Sequence, residues 1–304
     1  MSLTKYRAFL KIAAIGSFSA TAEQMHCTQS AASRMIHDLE DLWDVKLFTR
    51  SKSGAVLTQE GRELLPLIQK VVLADDDVRA AISSMTKLMT GTVRIGCFAS
   101  VASVWLPKVI KEFKKHFPHT QYEVLMGDFD EIERWVKTGR VDFGFTCVAT
   151  GEELDSLLVA RDELLLAVYS EHPLAKLKFV PLSRLQNESF FLLGKGKSNF
   201  VLSYLLKHDV VPAISLTTFE DYAIMNMVKM EFGIGILPKL VLQYPVEGVE
   251  IKELRPKGYR EIRLILRSDG KLSFAAKKFL SGFAKELKDV IDPGFFENLN
   301  PYLQ

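Results

Sequence analysis

Residues 9–61 read FLKIAAIGSFSATAEQMHCTQSAASRMIHDLEDLWDVKLFTRSKSGAVLTQEG, and the spacing of apolar residues and turn formers in this stretch decides how the whole chain is read. Leu3, Tyr6, Phe9, Leu10 and Ala13 recur at helical intervals, and Gly16 is a natural stop. Ser19 is placed to cap a second short helix, Ala20 to Met25, with Phe18 before it as a hydrophobic staple. Thr28 caps a third helix running to about Leu42. Val45 to Leu57 then reads as two short strands around Ser51–Gly54. The expectation is three helices and a hairpin packed as one small unit.

On a helix, with about 100° per residue, Gln29, Ser30, Ser33, Arg34 and His37 fall within an arc of about 140°. Ala31, Ala32, Met35, Ile36 and Leu39 fill the other side. One face is built to pack; the other carries hydrogen-bonding groups with little bulk. Gln and Arg side chains match the paired donors and acceptors of base edges, and hydroxyls reach phosphates. Periodicity alone does not separate such a groove-reading face from a solvated helix flank. Over residues 1–58, Lys5, Arg7, Lys11, Arg34, Lys46, Arg50 and Lys52 stand against Glu23, Asp38, Glu40, Asp41 and Asp44, which leaves this unit at +2. Arg34, Lys46, Arg50 and Lys52 all lie in the third helix or the hairpin, where local phosphate contacts would be made.

Residues 58–90 change character. Thr58 is a plausible cap, and Leu64, Ile68, Val71, Asp75, Val78, Ile82, Met85 and Met89 are spaced by four and three, a heptad seam with one polar position. About 30 residues of helix would run about 45 Å. A stripe of that length needs a partner, a second copy being the simplest. Pro66 removes a helix hydrogen bond and predicts a kink or a start near Leu65.

From Gly91 onward strands and helices alternate: TVRIGCF, Val104–His116, QYEVLMG, Phe129–Thr138 and VDFGFTCV, which predicts a parallel sheet. Further strands are expected at Leu164–Tyr169, Phe190–Leu193, Gly233–Leu237 and Ile262–Leu266. Helices are expected at Leu202–His208, Phe219–Met230 and Ser273–Val290.

The chain has 304 residues, enough for two or three domains, and a net charge of +2, so nucleic-acid affinity must come from a local site. No apolar run is long enough for a bilayer, and Lys5, Arg7 and Lys11 interrupt what would be a secretory leader. Cys27, Cys97 and Cys147 form neither a disulfide framework nor a zinc spacing, as in a cytoplasmic protein. Cys97 and Cys147 both fall near strand ends; buried thiols are the default and a redox pair the alternative. No Gly-x-Ser-x-Gly elbow, His-Glu-x-x-His pair or phosphate loop is present, so no enzyme, metal or cofactor is expected. Gly233-x-Gly235 lacks the context of a nucleotide fingerprint.

The stretch from Phe9 to Gly61 resembles the head of the LysR-type transcriptional regulators. The resemblance rests on Phe9, Gly16–Ser17–Phe18, Ala20, Ala22, Thr28–Gln29–Ser30, Ser33–Arg34, Leu39–Glu40, Leu47–Phe48, Arg50, Leu57–Thr58 and Gly61. Later landmarks agree: Gly96 and Ser100 with Leu106–Pro107, Gly139 to Asp142, His172–Pro173–Leu174, and Gly233 to Pro238. Trp43–Asp44 stands where members often carry Leu-Gly, and Lys52 or Ser53 where the hairpin often carries Arg. The tail from Pro293 has no counterpart.

The resemblance implies a multidomain chain. An all-α winged helix-turn-helix DNA-binding head spans 1–57, a linker and dimerisation helix 58–90, and a two-lobed α/β sensor of periplasmic-binding-protein type 91–304. Lobe I takes 91–162 and 267–290, and lobe II 163–266. The implied partners are a double-stranded DNA operator, a small-molecule effector and copies of the chain in a homodimer or homotetramer, with no membrane. Thr28, Gln29, Ser30, Ser33, Arg34, His37, Arg50 and Lys52 are then the expected DNA contacts.

Four segments should line an effector cleft between the lobes. The first is Ala99, Ser100, Val101 and Ser103, where backbone N–H groups at a helix start favour an anion. The others are Thr146 with Cys147, Gly194 with Lys195, and Thr218 with Phe219. Against each stands a plainer reading: Ser100 and Ser103 as caps, Lys195 as a solvated charge, Phe219 as core. A solute-binding or enzymatic α/β domain with an unrelated helical head is the competing interpretation; it predicts a secretion signal or a catalytic set, and neither is found.

Overall fold

The computed structural model describes residues 3–51, 54–85, 91–148, 150–194, 199–218, 220–244, 246–268 and 272–303. The head contains α1 (Leu3–Ile15), α2 (Phe18–Gln24) and α3 (Gln29–Trp43), then β1 (Phe48–Ser51) paired antiparallel with β2 (Gly54–Leu57). Its core is Phe9, Ile12, Ile36, Leu39 and Leu47. Thr28 caps α3 as expected, its hydroxyl accepting from the Ala31 N–H at 3.2 Å. Asp44 ends α3 in the left-handed region (φ 54°), a conformation that a short polar side chain tolerates.

The second helix starts differently from expectation. Gly16, at φ +73°, turns the chain so that Ser17 rather than Ser19 becomes the cap, accepting from the Ala20 N–H. Phe18 is then inside the helix and packs edge-on against Phe48 at 5.8 Å. The hairpin closes on this turn: the Ala55 N–H donates to the Gly16 carbonyl at 2.7 Å. A Cβ on Gly54 would lie 2.3 Å from that carbonyl oxygen, so only glycine fits.

The linker helix α4 (Gln59–Met85) begins at Thr58, whose hydroxyl accepts from the Gly61 N–H at 2.9 Å. It does not start near Leu65; Pro66 lies inside it. The expected seam divides. Ile68 is buried in the head core, and Asp75 with Asp76 binds Arg7 of α1. Leu67, Val71, Val78 and Ile82 form a second stripe that is between 47% and 58% exposed. The side chain of Met85 and all of Met89 lie outside the described residues.

In the remainder of the chain, β3 (Gly91–Cys97) pairs parallel with β4 (Thr120–Met126) and β5 (Phe143–Thr146). Helices α5 (Leu106–His116) and α6 (Phe129–Lys137) connect them. The long strands β6 (Leu154–Tyr169) and β11 (Val249–Arg267) pair antiparallel with each other. Beyond them β10 (Ile234–Pro238), β8 (Ser189–Leu193) and β9 (Ala213–Thr218) run parallel to one another. One sheet, in the order β4-β3-β5-β11-β6-β10-β8-β9 with β7 (Phe179–Pro181) on β11, thus passes through both lobes. The expectation of a parallel sheet holds for β3, β4 and β5 and for β8, β9 and β10, whereas β6 and β11 run antiparallel to each other and to their flanking strands β10 and β5. Helices α7 (Phe200–Leu206) and α8 (Asp221–Lys229) belong to the second lobe.

The expected strands Leu164–Tyr169 and Ile262–Leu266 are the ends of these two long strands. Ile262, Leu264 and Leu266 pack in the first lobe's core with Phe143, Phe145 and Phe279, so β11 has left the second lobe before residue 266. Helix α9 (Phe274–Glu286) covers that core. The unassigned tail forms α10 (Phe295–Leu303), with Phe295 and Leu299 buried in the same core. Two bonds tie this tail to β6: Asp292 N–H to the Val159 carbonyl at 2.6 Å, and Tyr302 Oη to Asp155 Oδ2 at 2.7 Å.

Candidate functional site

The outer face of α3 carries Gln29, Ser30, Ser33, Arg34 and His37, all exposed, with Thr28 at its start. Ala32, Ile36 and Leu39 are buried on the inner side, as the periodicity requires. The Thr28 and Ser30 hydroxyls are 3.0 Å apart, His37 lies 3.5 Å from Asp41, and Lys5 binds Asp38 at 2.8 Å. That bond to Lys5, aided by Arg34 and His37, lowers the Asp38 carboxyl below its ordinary range. The positive groups of this face are thus partly balanced, which suits contacts chosen by shape and hydrogen bonding rather than bulk charge. Arg50 sits in β1 opposite Ala55; its side chain, and Lys52 altogether, lie outside the described residues.

Lys46 is committed elsewhere. Its ammonium binds Glu40 at 2.8 Å, and the same carboxylate accepts from the Leu47 and Phe48 N–H groups. Burial raises the Glu40 carboxyl, but these partners outweigh it and the net shift is downward. Glu40 therefore ties the end of α3 to the first strand of the hairpin and fixes the wing relative to the helix.

The sensor's polar centre lies where β6 and β11 cross between the lobes. Arg260 of β11 is 4% exposed. Its Nε and Nη2 donate to Asp162 Oδ2 of β6 at 3.0 and 2.8 Å, and Nη2 also donates to Ser100 Oγ at 2.9 Å. Its guanidinium carbon stands 5.0 Å from the Phe98 ring of the first lobe and 5.6 Å from the Phe200 ring of the second, so rings from both lobes contact one cation. Burial raises the Asp162 carboxyl, opposed by Arg260. Beside this cluster a cavity of about 630 Å³ is lined by Cys147 and Val148, by residues of α7, and by residues 257–261 of β11.

The expected effector residues meet this centre unevenly. The helix leading into α5 begins at Ala99, not near Val104, and passes through a π turn at Val101–Trp105. Ser100 lies inside that helix, caps nothing, and is bound to Arg260. The Val101 side chain is in the first lobe's core and its N–H donates to the Phe98 carbonyl, so this residue is withdrawn from the cleft. Ala99 and Ser103 are exposed. Thr146 is buried and accepts from the Val148 N–H. Cys147 lines the cavity. Gly194 donates to the Thr218 carbonyl, and the Thr218 hydroxyl accepts from the Glu220 N–H. Lys195 and Phe219 lie outside the described residues. Burial pushes the Cys97 and Cys147 thiols up to about 12, which favours the protonated form of both at neutral pH.

Arg260, Asp162, Phe98 and Phe200 were not singled out by the sequence. Arg260 and Asp162 are 98 residues apart and meet only as cross-strand neighbours. Among the described residues no helix is long and apolar enough to cross a membrane, and no set of three or more His, Cys, Asp or Glu is gathered for a metal ion.

Comparisons with known proteins agree with this architecture. Residues 3–62 match the bacterial regulatory helix-turn-helix family of lysR type, and residues 86–288 match the LysR substrate binding domain. YvbU of Bacillus subtilis, an uncharacterized HTH-type transcriptional regulator, is 29% identical over 290 residues, covering 94% of this chain and 99% of that protein. LrrA of Synechococcus elongatus, a probable HTH-type transcriptional regulator, is 30% identical over 243 residues, covering 79% of this chain and 82% of that protein. Full-length OxyR of Pseudomonas aeruginosa superposes with a TM-score of 0.74 at 20% identity over 95% of each chain. Full-length BenM does so at 0.59 with 23% identity, over 95% of this chain and 96% of that one. YvbU and LrrA are both named as HTH-type transcriptional regulators. With a winged helix-turn-helix head, a linker helix and a two-lobed domain all in place, the chain belongs to the LysR family of transcriptional regulators.

Proposed function

We propose that this regulator binds a double-stranded DNA operator in the cytoplasm as a homo-oligomer, and that a small anionic effector between its lobes shifts the relative placement of its heads. The observation that carries the reading is the exposed polar face of α3, from Gln29 to His37, set on a capped helix whose other side buries Ala32, Ile36 and Leu39. Gln29, Ser33 and Arg34 make base and phosphate contacts, with Thr28, Ser30, His37, Arg50 and Lys52 around them. The exposed stripe on α4 supports pairing of two chains, and paired heads would read half-sites about 34 Å apart or at a multiple of that spacing. Ala99, Ser103, Cys147, Gly194 and Thr218 border the effector's space, with Lys195 and Phe219 as further contacts. The effector acts only through unequal affinity for two arrangements of the molecule.

The test starts with duplexes selected from a random library by the purified protein. Arg34→Ala should weaken binding by about 1–3 kcal/mol, roughly fivefold to 150-fold, and flatten the dependence on salt. Unchanged affinity and an unchanged salt slope would remove Arg34 from the interface.

A further inference from the structure

The guanidinium of Arg260 has two sides in different states. Nε and Nη2 are taken by Asp162 and Ser100, whereas Nη1 has no partner among the described residues, although the side chain is more than nine-tenths buried. Nη1 is not sealed off from open space, and a charge-assisted bond to an anion is the strongest contact it can make there. Arg260 also lines the cavity of about 630 Å³, within the size range of pockets for small organic molecules.

The other walls describe what else must fit. Phe200, Tyr204 and Tyr259 present rings to this space. Tyr204 lies flat on β11 because residue 258 is glycine: a Cβ there would stand 2.6 Å from the ring. The Tyr204 hydroxyl is already spent on the Pro256 carbonyl at 2.5 Å, so the ring offers an apolar surface. The charged lining residues are Lys207, Lys257 and Arg260 against Glu261. Asp162 sits on the far edge of the guanidinium, and Lys257 is already bound to Glu163 at 2.6 Å. With Asp162 and Glu163 already beside these cations, one added negative charge is accepted near Arg260 more readily than two.

We propose that the pocket takes a small monocarboxylate with a flat apolar body, its acid group held by Nη1 of Arg260 and its body lying among Phe200, Tyr204 and Tyr259. The proposal rests on the reading that an effector binds between the lobes. It moves the anchor from the helix start at Ala99–Ser103 to the hinge strand β11. A ligand held there touches an arginine that contacts rings of both lobes, so occupancy is felt by both at once.

Phenylacetate, 3-phenylpropionate and indole-3-acetate, each with its primary amide, and phenyl phosphate as a dianion, are to be tested by thermal unfolding of the full-length protein. At ten times the Kd, an acid that fits should raise the midpoint by roughly 3–5 °C, while its amide and the phosphate do much less. The Arg260→Gln/Asp162→Asn pair removes both charges together, avoids leaving a buried carboxylate alone, and should abolish the shift. Phe200→Ala should weaken it with both charges kept. The ligand-free unfolding midpoint of each variant, set against that of the parent protein, reports whether its sensor folds.

The proposal fails if none of the acids stabilises the protein, or if a shift survives intact in the paired variant. Loss of the shift in Ser103→Ala with retention in the paired variant would return the anchor to the helix start. An amide or phosphate that stabilises as well as the acid would leave an interlobe effector site standing while sinking the acid anchor.

Discussion

Asp142 stands just before β5 with 7% of its surface exposed, accepts from the Arg94 N–H at 2.7 Å, and returns its own N–H to the Arg94 carbonyl. Burial, only partly offset by that bond and by Arg94, pushes its carboxyl up to about 6 from 3.8. The folded chain therefore holds this proton more tightly than the unfolded one, and stability falls as pH rises from about 4 to about 6. The loss is about 3 kcal/mol at most. Asp142→Asn keeps the acceptor and removes the titration. Urea midpoints should show the variant gaining on the parent through that window and holding a constant lead above it; parallel curves would contradict the assignment. Single positions with local consequences were readable from sequence: Thr28 as a cap and Asp44 as a left-handed stop each depend on neighbours within a few residues. Arg260 was not, because its partner sits on a strand 98 residues away and nothing near Arg260 marks it as buried. Ser19 was misplaced for a local reason, since the turn at Gly16 puts Ser17 first.

At the scale of elements, α4 shows how one apolar pattern can serve two surfaces. Ile68 belongs to the head, while Leu67, Val71, Val78 and Ile82 face outward. Val71→Asp with Val78→Asp should yield monomers that lose operator affinity while the sensor keeps its unfolding midpoint, as read by sedimentation and calorimetry. Ile68→Asp should instead unfold the head, at a cost of several kcal/mol for a charge in an apolar core. If the double variant stayed dimeric, the stripe would not be the contact between chains. Gly258→Ala makes a complementary prediction: the ring of Tyr204 must leave its seat, so the cavity changes shape and ligand response falls while DNA binding persists. The short strands and amphipathic helices followed their periodicity. The length of β11 did not, since Pro256 and Gly258 interrupt the pattern and the register against β6 shifts between Glu253 and Gly258.

For the molecule as a whole, the tail is part of the structure rather than an appendage. Phe295 and Leu299 are fully buried against the first lobe. A chain ending at Asp289 should lose about 3–6 kcal/mol, the worth of two buried apolar side chains, with further loss from the Tyr302–Asp155 bond. Denaturant unfolding of the truncated form measures this directly; an unchanged midpoint would show that α10 only rests on the surface. Such packing was illegible in the sequence because a short segment after a proline and a glycine carries too few turns to reveal which face is covered.

The pair β6 and β11 has a mechanical consequence. Two lobes joined by loops could swing apart like covers of a book, but these strands stay hydrogen-bonded to each other from one lobe into the other. A two-stranded ribbon resists bending in its own plane and yields most easily to torsion. Relative motion of the lobes should thus be a rotation about the ribbon's length, small near Arg260 and amplified with distance from it. Surfaces at the outer edges of the sheet, β4 at one end and β9 at the other, would travel farthest for a given turn.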